Sequence, residues 1–145
     1  MPTTLRRLRG LALLPFLALA NSCTPDVNVS IVGDVLAGNY VATSFLITPT
    51  GQPTFDVLAK GGSLTINIAA DSTTTGLLSL PAGTPGGQQG TADMAGKVSQ
   101  QANGTFIFNQ PANTFIKQLS WQQFTDALVS TTFLSNTQFQ ITLRK

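Results

Sequence analysis

The stretch Ser63-Leu64-Thr65-Ile66-Asn67-Ile68-Ala69 has the clearest period in the chain, with Leu64, Ile66 and Ile68 alternating with Thr65, Asn67 and Ala69. A period of two sends alternate side chains to opposite faces of a strand. One face therefore enters a core and the other meets water. Asp71, Ser72 and Thr73 supply turn chemistry, and residues 74–80 return as a second strand closed by Pro81. The pair predicts an antiparallel hairpin.

The same signal extends in both directions. Upstream, a strand over 36–47 is stopped by Pro49. Gly51 and Pro53 then mark a turn. Thr54 can cap a short helix through Phe55, Val57, Leu58 and Lys60 before Gly61 and Gly62. Downstream, residues 81–90 are rich in Gly and Pro and predict a loop, either a plain surface connection or a lip over a cavity. Further strands are predicted at 92–100, 105–109, 114–122, 127–133 and 137–144. Asn103-Gly104 is the strongest hairpin-turn signal, in a turn that needs positive φ at both central positions, and Ser135-Asn136 closes the final pair. Eight short sequential strands predict an all-β antiparallel fold, an up-and-down barrel or a sandwich, with one short helix after the first strand.

The N-terminal stretch predicts where the protein resides. Arg6, Arg7 and Arg9 precede an uncharged apolar run over 11–20, followed by Asn21, Ser22 and Cys23, the single cysteine. A run of about ten residues makes roughly 15 Å of helix, half of what a membrane span needs, so 1–22 reads as an export signal. A lone thiol just after such a run resembles the lipid-modified first residue of a bacterial lipoprotein. That resemblance implies acylation of Cys23, a tether over 23–33, a folded domain over 34–145 and a cell-envelope location. The alternative is ordinary cleavage after Ala20, which leaves Cys23 as a free thiol. Of the 8 basic residues three lie in the leader, so the remainder, with its 6 acidic residues, is close to neutral. No basic patch remains to hold a phosphate backbone, and nucleic acid is not an expected partner.

Gly38, Asn39 and Tyr40 resemble the Gly-X-Trp motif of lipocalins with Tyr in place of Trp, and Arg144 resembles the arginine that packs across that aromatic ring. Residues 61–81 also resemble small lipocalin-like domains of bacterial lipoproteins. The resemblance covers roughly 36–145 and implies a closed, lipocalin-like barrel of eight strands with an apolar interior. It also implies that Tyr40 and Arg144 form a barrel-closing pair.

Composition removes most catalytic schemes. The chain has no histidine and no glutamate, and its one thiol sits at the leader boundary, which excludes His-based triads, thiol proteases and Cys or His zinc sites. The six aspartates share no period. No enzyme activity, metal or cofactor is expected. The leading expectation is a lipid-anchored, monomeric barrel that binds a small apolar or amphipathic molecule, since eight strands leave just enough width. The expected lining is Phe106, Phe108, Lys117, Trp121 and Phe139. Lys117 shares a strand face with Phe115, Leu119 and Trp121 and so suggests an anionic ligand such as a fatty acid. The alternative is an interior filled by Phe106, Phe108, Phe139, Ile141 and Leu143, in a protein that acts as an envelope or partner-binding module.

Overall fold

The structure is a computed structural model describing residues 31–145; the leader, Cys23 and segment 24–30 lie outside the described residues. Helix α1 (Ile31–Leu36) leads into β1 (Gly38–Pro49), β2 (Phe55–Asp56), β3 (Ser63–Ile68), β4 (Thr73–Leu80), β5 (Gly90–Asp93), β6 (Gly96–Gln100) and β7 (Phe106–Asn109). A 3-10 turn at Phe115–Gln118 then precedes β8 (Gln122–Phe124), β9 (Ala127–Leu134) and β10 (Thr137–Arg144).

Around the sheet the order is β7-β6-β4-β3-β1-β10-β9-β8, with β2 against β1 and β5 against β4. β5 and β6 are halves of one interrupted strand. Leu77 faces Asp93, Thr74 faces Gly96, and Met94 and Ala95 lie between. Chain neighbours are therefore spatial neighbours around an eight-strand antiparallel circuit, the up-and-down arrangement. The circuit is closed where Phe106 and Trp121 form a single antiparallel bridge between the ends of the path. The other seams are ladders; this one is a single bridge, and the barrel is nearly closed.

The alternation seen in Leu64, Ile66 and Ile68 holds in the fold, where all three are buried and Thr65 and Asn67 are exposed. In β10, Phe139, Ile141 and Leu143 are buried likewise. Outward positions are mostly Thr, Ser, Asn and Gln. A lipid-embedded barrel needs the reverse, an apolar outer band. The long strand β1 bends at Thr43, where its register on β10 slips between the pairs Ala42–Leu143 and Ser44–Thr142. In β4, Gly76 has φ +140°, and a Cβ there would overlap the Thr65 carbonyl, so only glycine lets the two strands meet.

Both barrel ends are covered. At one end α1 lays Leu36, fully buried, over the core, and the Tyr40 hydroxyl donates to the Leu36 carbonyl at 2.9 Å. A Cβ on Gly33 would overlap the Ala70 carbonyl, so a glycine here lets the helix rest on the β3–β4 turn. At the other end the 3-10 turn inserts Phe115 and Ile116, with Leu119 buried just beyond it.

Several local expectations change. Residues 114–122 are not one strand. Phe115, Ile116 and Leu119 are buried at spacings of one and three, a helical pattern, and the chain becomes extended only from Leu119. The segment predicted as a short helix after β1 starts as strand β2 and then makes one helical turn, in which the Lys60 N–H donates to the Asp56 carbonyl at 3.2 Å. Asp56, rather than Thr54, caps it, because its carboxylate accepts from the Ala59 N–H at 3.0 Å. Helix α1 stands before β1, where the sequence predicts no regular element. In the β6–β7 turn Asn103 does not take positive φ. Gln101 and Thr105 pair around three residues, Gly104 alone is left-handed (φ 82°), and the Asn103 amide oxygen accepts from the Thr105 N–H at 3.1 Å. Ser135 and Asn136, at φ 43° and 66°, do form the two-residue turn expected of them.

Candidate functional site

The five residues expected to line a ligand cavity divide into three groups. Phe106, Phe108 and Trp121 are buried together near the closing bridge, where Phe108 and Trp121 meet edge to face at 5.5 Å between ring centroids. Phe139 lies toward the other end, stacked on Phe115 at 4.6 Å, with Phe45 edge-on to Phe115 at 6.1 Å. Lys117 joins neither group. The 3-10 turn carries it away from the aromatic face, and its ammonium donates to the Asn113 amide oxygen at 3.0 Å.

The interior between these groups is occupied by side chains. Tyr40, Phe45, Ile47, Leu64, Ile66, Ile68, Leu78, Met94, Phe108 and Trp121 are each at most 2% exposed and belong to one contiguous cluster. Among the described residues, the Trp121 indole nitrogen, Gln110 Oε1 and Thr114 Oγ1 are buried without a hydrogen-bond partner. The Gln110 amide nitrogen is engaged, donating to the Met94 carbonyl at 3.4 Å.

Tyr40 and Arg144 do not form a pair. Neighbouring β1 and β10 place Val41, not Tyr40, opposite Arg144, whose guanidinium reaches Asp126 on the outer surface at 2.7 Å. The cation over the Tyr40 ring is that of Lys145, 5.4 Å from its centroid. Burial pushes the Tyr40 hydroxyl above its ordinary pKa. Asp71 moves the other way, because hydrogen bonds from the Thr73 hydroxyl and N–H stabilise its carboxylate.

The clefts lie at the rim and on the outer wall. One, of about 410 Å³, opens beside the closing bridge between the β6–β7 turn and β8. A second, of about 280 Å³, lies at the far end, where Phe115, Leu134 and Phe139 meet the loop residues Pro85, Gly86 and Gln88. A third, of about 270 Å³, lies on the other side of that loop, beside Leu78, Leu80 and Thr114. The Gly- and Pro-rich loop thus borders two clefts. Among the described residues no three Asp or Cys side chains gather as metal ligands, and no helix is long and apolar enough to cross a membrane.

No protein-family model matches the chain, and neither curated proteins nor solved structures provide a match. The fold itself, an antiparallel barrel-like sheet, is compatible with a calycin-like architecture.

Proposed function

We propose that this protein is exported, held at the cell-envelope membrane through acylated Cys23, and acts through the outer surface of a filled, lipocalin-like barrel. The observation that carries the reading is the interior itself. Phe45, Phe108 and Trp121 occupy the width that a ligand would need, and α1 and the 3-10 turn cover the two ends. Eight strands make a barrel that side chains can fill completely. The polar outer wall suits a domain standing in water beside a membrane. On this reading the domain acts as a monomeric binding module without a cofactor or chemical step.

A second reading rests on a specific feature. The stacked Phe115 and Phe139 border the 280 Å³ cleft under the Gly- and Pro-rich loop, so a small apolar molecule would bind at the rim rather than in the interior.

Trp121 is the sole tryptophan and separates the readings. Fatty acids and the matching alcohols are titrated into the full chain while Trp121 emission is followed. The filled barrel is expected to give no saturable change. A saturable shift that Phe108→Leu alters would place the ligand inside. One that Phe139→Leu alone weakens would place it at the rim. The anchor is read separately: Cys23→Ser is expected to release the protein from membranes, and retention after a high-salt wash would contradict acylation at Cys23.

A further inference from the structure

From the cleft beside the closing bridge we infer that it is a binding site for an uncharged glycan chain, an inference that rests on the reading of a barrel acting through its surface. The cleft exists because the backbones of β7 and the segment entering β8 are bridged only at Phe106 and Trp121 among the described residues and then separate toward the α1 end. Its volume of about 410 Å³ falls within the range of small-molecule sites, about 300–1,000 Å³.

Its walls set the chemistry. Gln122 presents its whole amide, and no lining side chain is charged; the amide nitrogens of Gln123 and Gln100 donate to the Val35 and Gly104 carbonyls at 3.4 and 3.5 Å, and the Asn103 amide oxygen accepts from Thr105, which leaves the Gln100 and Gln123 amide oxygens and the Asn103 amide nitrogen to face a ligand. The Gln122 amide offers a donor and an acceptor side by side, and the remaining amide oxygens and the Asn103 amide nitrogen add single acceptors and a donor, a mixed set that matches the sugar hydroxyl, itself both donor and acceptor. A phosphate, carboxylate or ammonium ligand would find no counter-charge here. The nearby ionic pair, Arg144 with Asp126, is already satisfied within itself.

The second feature is Phe124, which lines the cleft and is 55% exposed on a wall otherwise built mainly from hydroxyl and amide side chains. An exposed ring beside convergent amides suits the C–H face of a sugar ring, whose weakly positive hydrogens meet the negative face of the aromatic. Backbone adds to this. Trp121 directs its N–H and carbonyl toward β7, so by the alternation of an antiparallel ladder Gln122 turns toward β9 and Gln123 turns its own backbone groups toward the cleft. A peptide adding itself as a strand fits less well, because β8 is only three residues long and offers this edge through Gln123 alone.

The test uses the full chain in a zwitterionic, sugar-free detergent, titrated calorimetrically with neutral oligosaccharides: chito-, cello- and malto-oligomers. At least one is expected to bind saturably, with Phe124→Ala weakening it about tenfold and Gln122→Ala weakening it less. Phe133→Ala removes a still more exposed ring, 62% exposed, on a different part of the wall and is expected to leave affinity unchanged. Both phenylalanines are exposed, so the folded state should survive, as melting curves would check. Absence of saturable binding by every oligosaccharide, or equal losses from Phe124→Ala and Phe133→Ala, would overturn the inference. So would a short extended peptide that binds the cleft while no glycan does. The Trp121 titration reads the interior independently, so failure of this cleft and failure of the filled barrel give different results.

Discussion

Phe106 and Trp121 exchange both of their backbone hydrogen bonds, Phe106 N–H to the Trp121 carbonyl at 2.8 Å and Trp121 N–H to the Phe106 carbonyl at 2.9 Å. Through this pair the strand path becomes a barrel. The Trp121 side chain then enters the core and packs on Phe108. One residue therefore joins the seam and fills the space behind it.

Trp121 should be the most sensitive wall position. Trp121→Ala is expected to lose about 3–5 kcal/mol through the cavity it leaves. Trp121→Phe should lose much less, since it leaves a smaller cavity and the indole N–H has no partner among the described residues to forfeit. Urea unfolding of the two variants measures the difference; equal losses would contradict a role for the ring's volume in filling the space behind the seam.

Tyr40 connects the wall to α1. Tyr40→Phe removes the bond to the Leu36 carbonyl and is expected to cost about 1 kcal/mol. The hydroxyl's pKa is raised in the folded state, so its contribution is complete below the unfolded tyrosine value, about 10, and is lost as pH rises through the folded value. Stability measured across the alkaline range should therefore fall more steeply in the native protein than in Tyr40→Phe.

Asp71 acts at the opposite end of the pH scale. Its carboxylate accepts from Thr73 N–H at 2.9 Å and from the Thr73 hydroxyl at 2.6 Å, which holds its pKa below the usual value. The contribution is present above the unfolded value, about 3.9, and disappears as pH falls through the lower folded one. Asp71→Asn is expected to be less stable than the native protein at neutral pH and to match it in strong acid. A gap of constant size across the acid range would show that the charge is not involved.

Much of this fold was legible in the sequence, for a physical reason that also marks where reading stopped. Strands such as β3 and β10 bury one face, so hydrophobicity itself records the period, and Ser135-Asn136 carries turn chemistry that needs no tertiary context. The turn at Phe115–Gln118 was misread because its apolar residues also fit alternation if Ile116 is placed outside; that residue is in fact fully buried. Its neighbours at spacings of one and three were the available signal. With Lys117 moved off the aromatic face, the case for an anionic ligand in the interior loses its residue. Arg144 failed by parity. Phe139, Ile141 and Leu143 were placed inward, which obliges Arg144 to face outward and leaves Lys145 to reach Tyr40. Helix α1 was missed because six residues, with a glycine among them, carry too little period to read. The seam cleft was invisible in sequence, since Gln100, Asn103, Gln122 and Phe124 come together only when the two ends of the strand path meet.

The filled interior is tested most directly by a crystal structure of the protein purified without added lipid, determined under xenon pressure. Xenon enters apolar voids that stay free of water. The expected result is no xenon and no co-purified lipid among Phe45, Phe108, Trp121 and Ile141, with any xenon confined to the rim near Phe115 and Phe139. A xenon site or acyl-chain density between Phe108 and Ile141 would contradict the filled barrel and return the interior to a ligand-binding role.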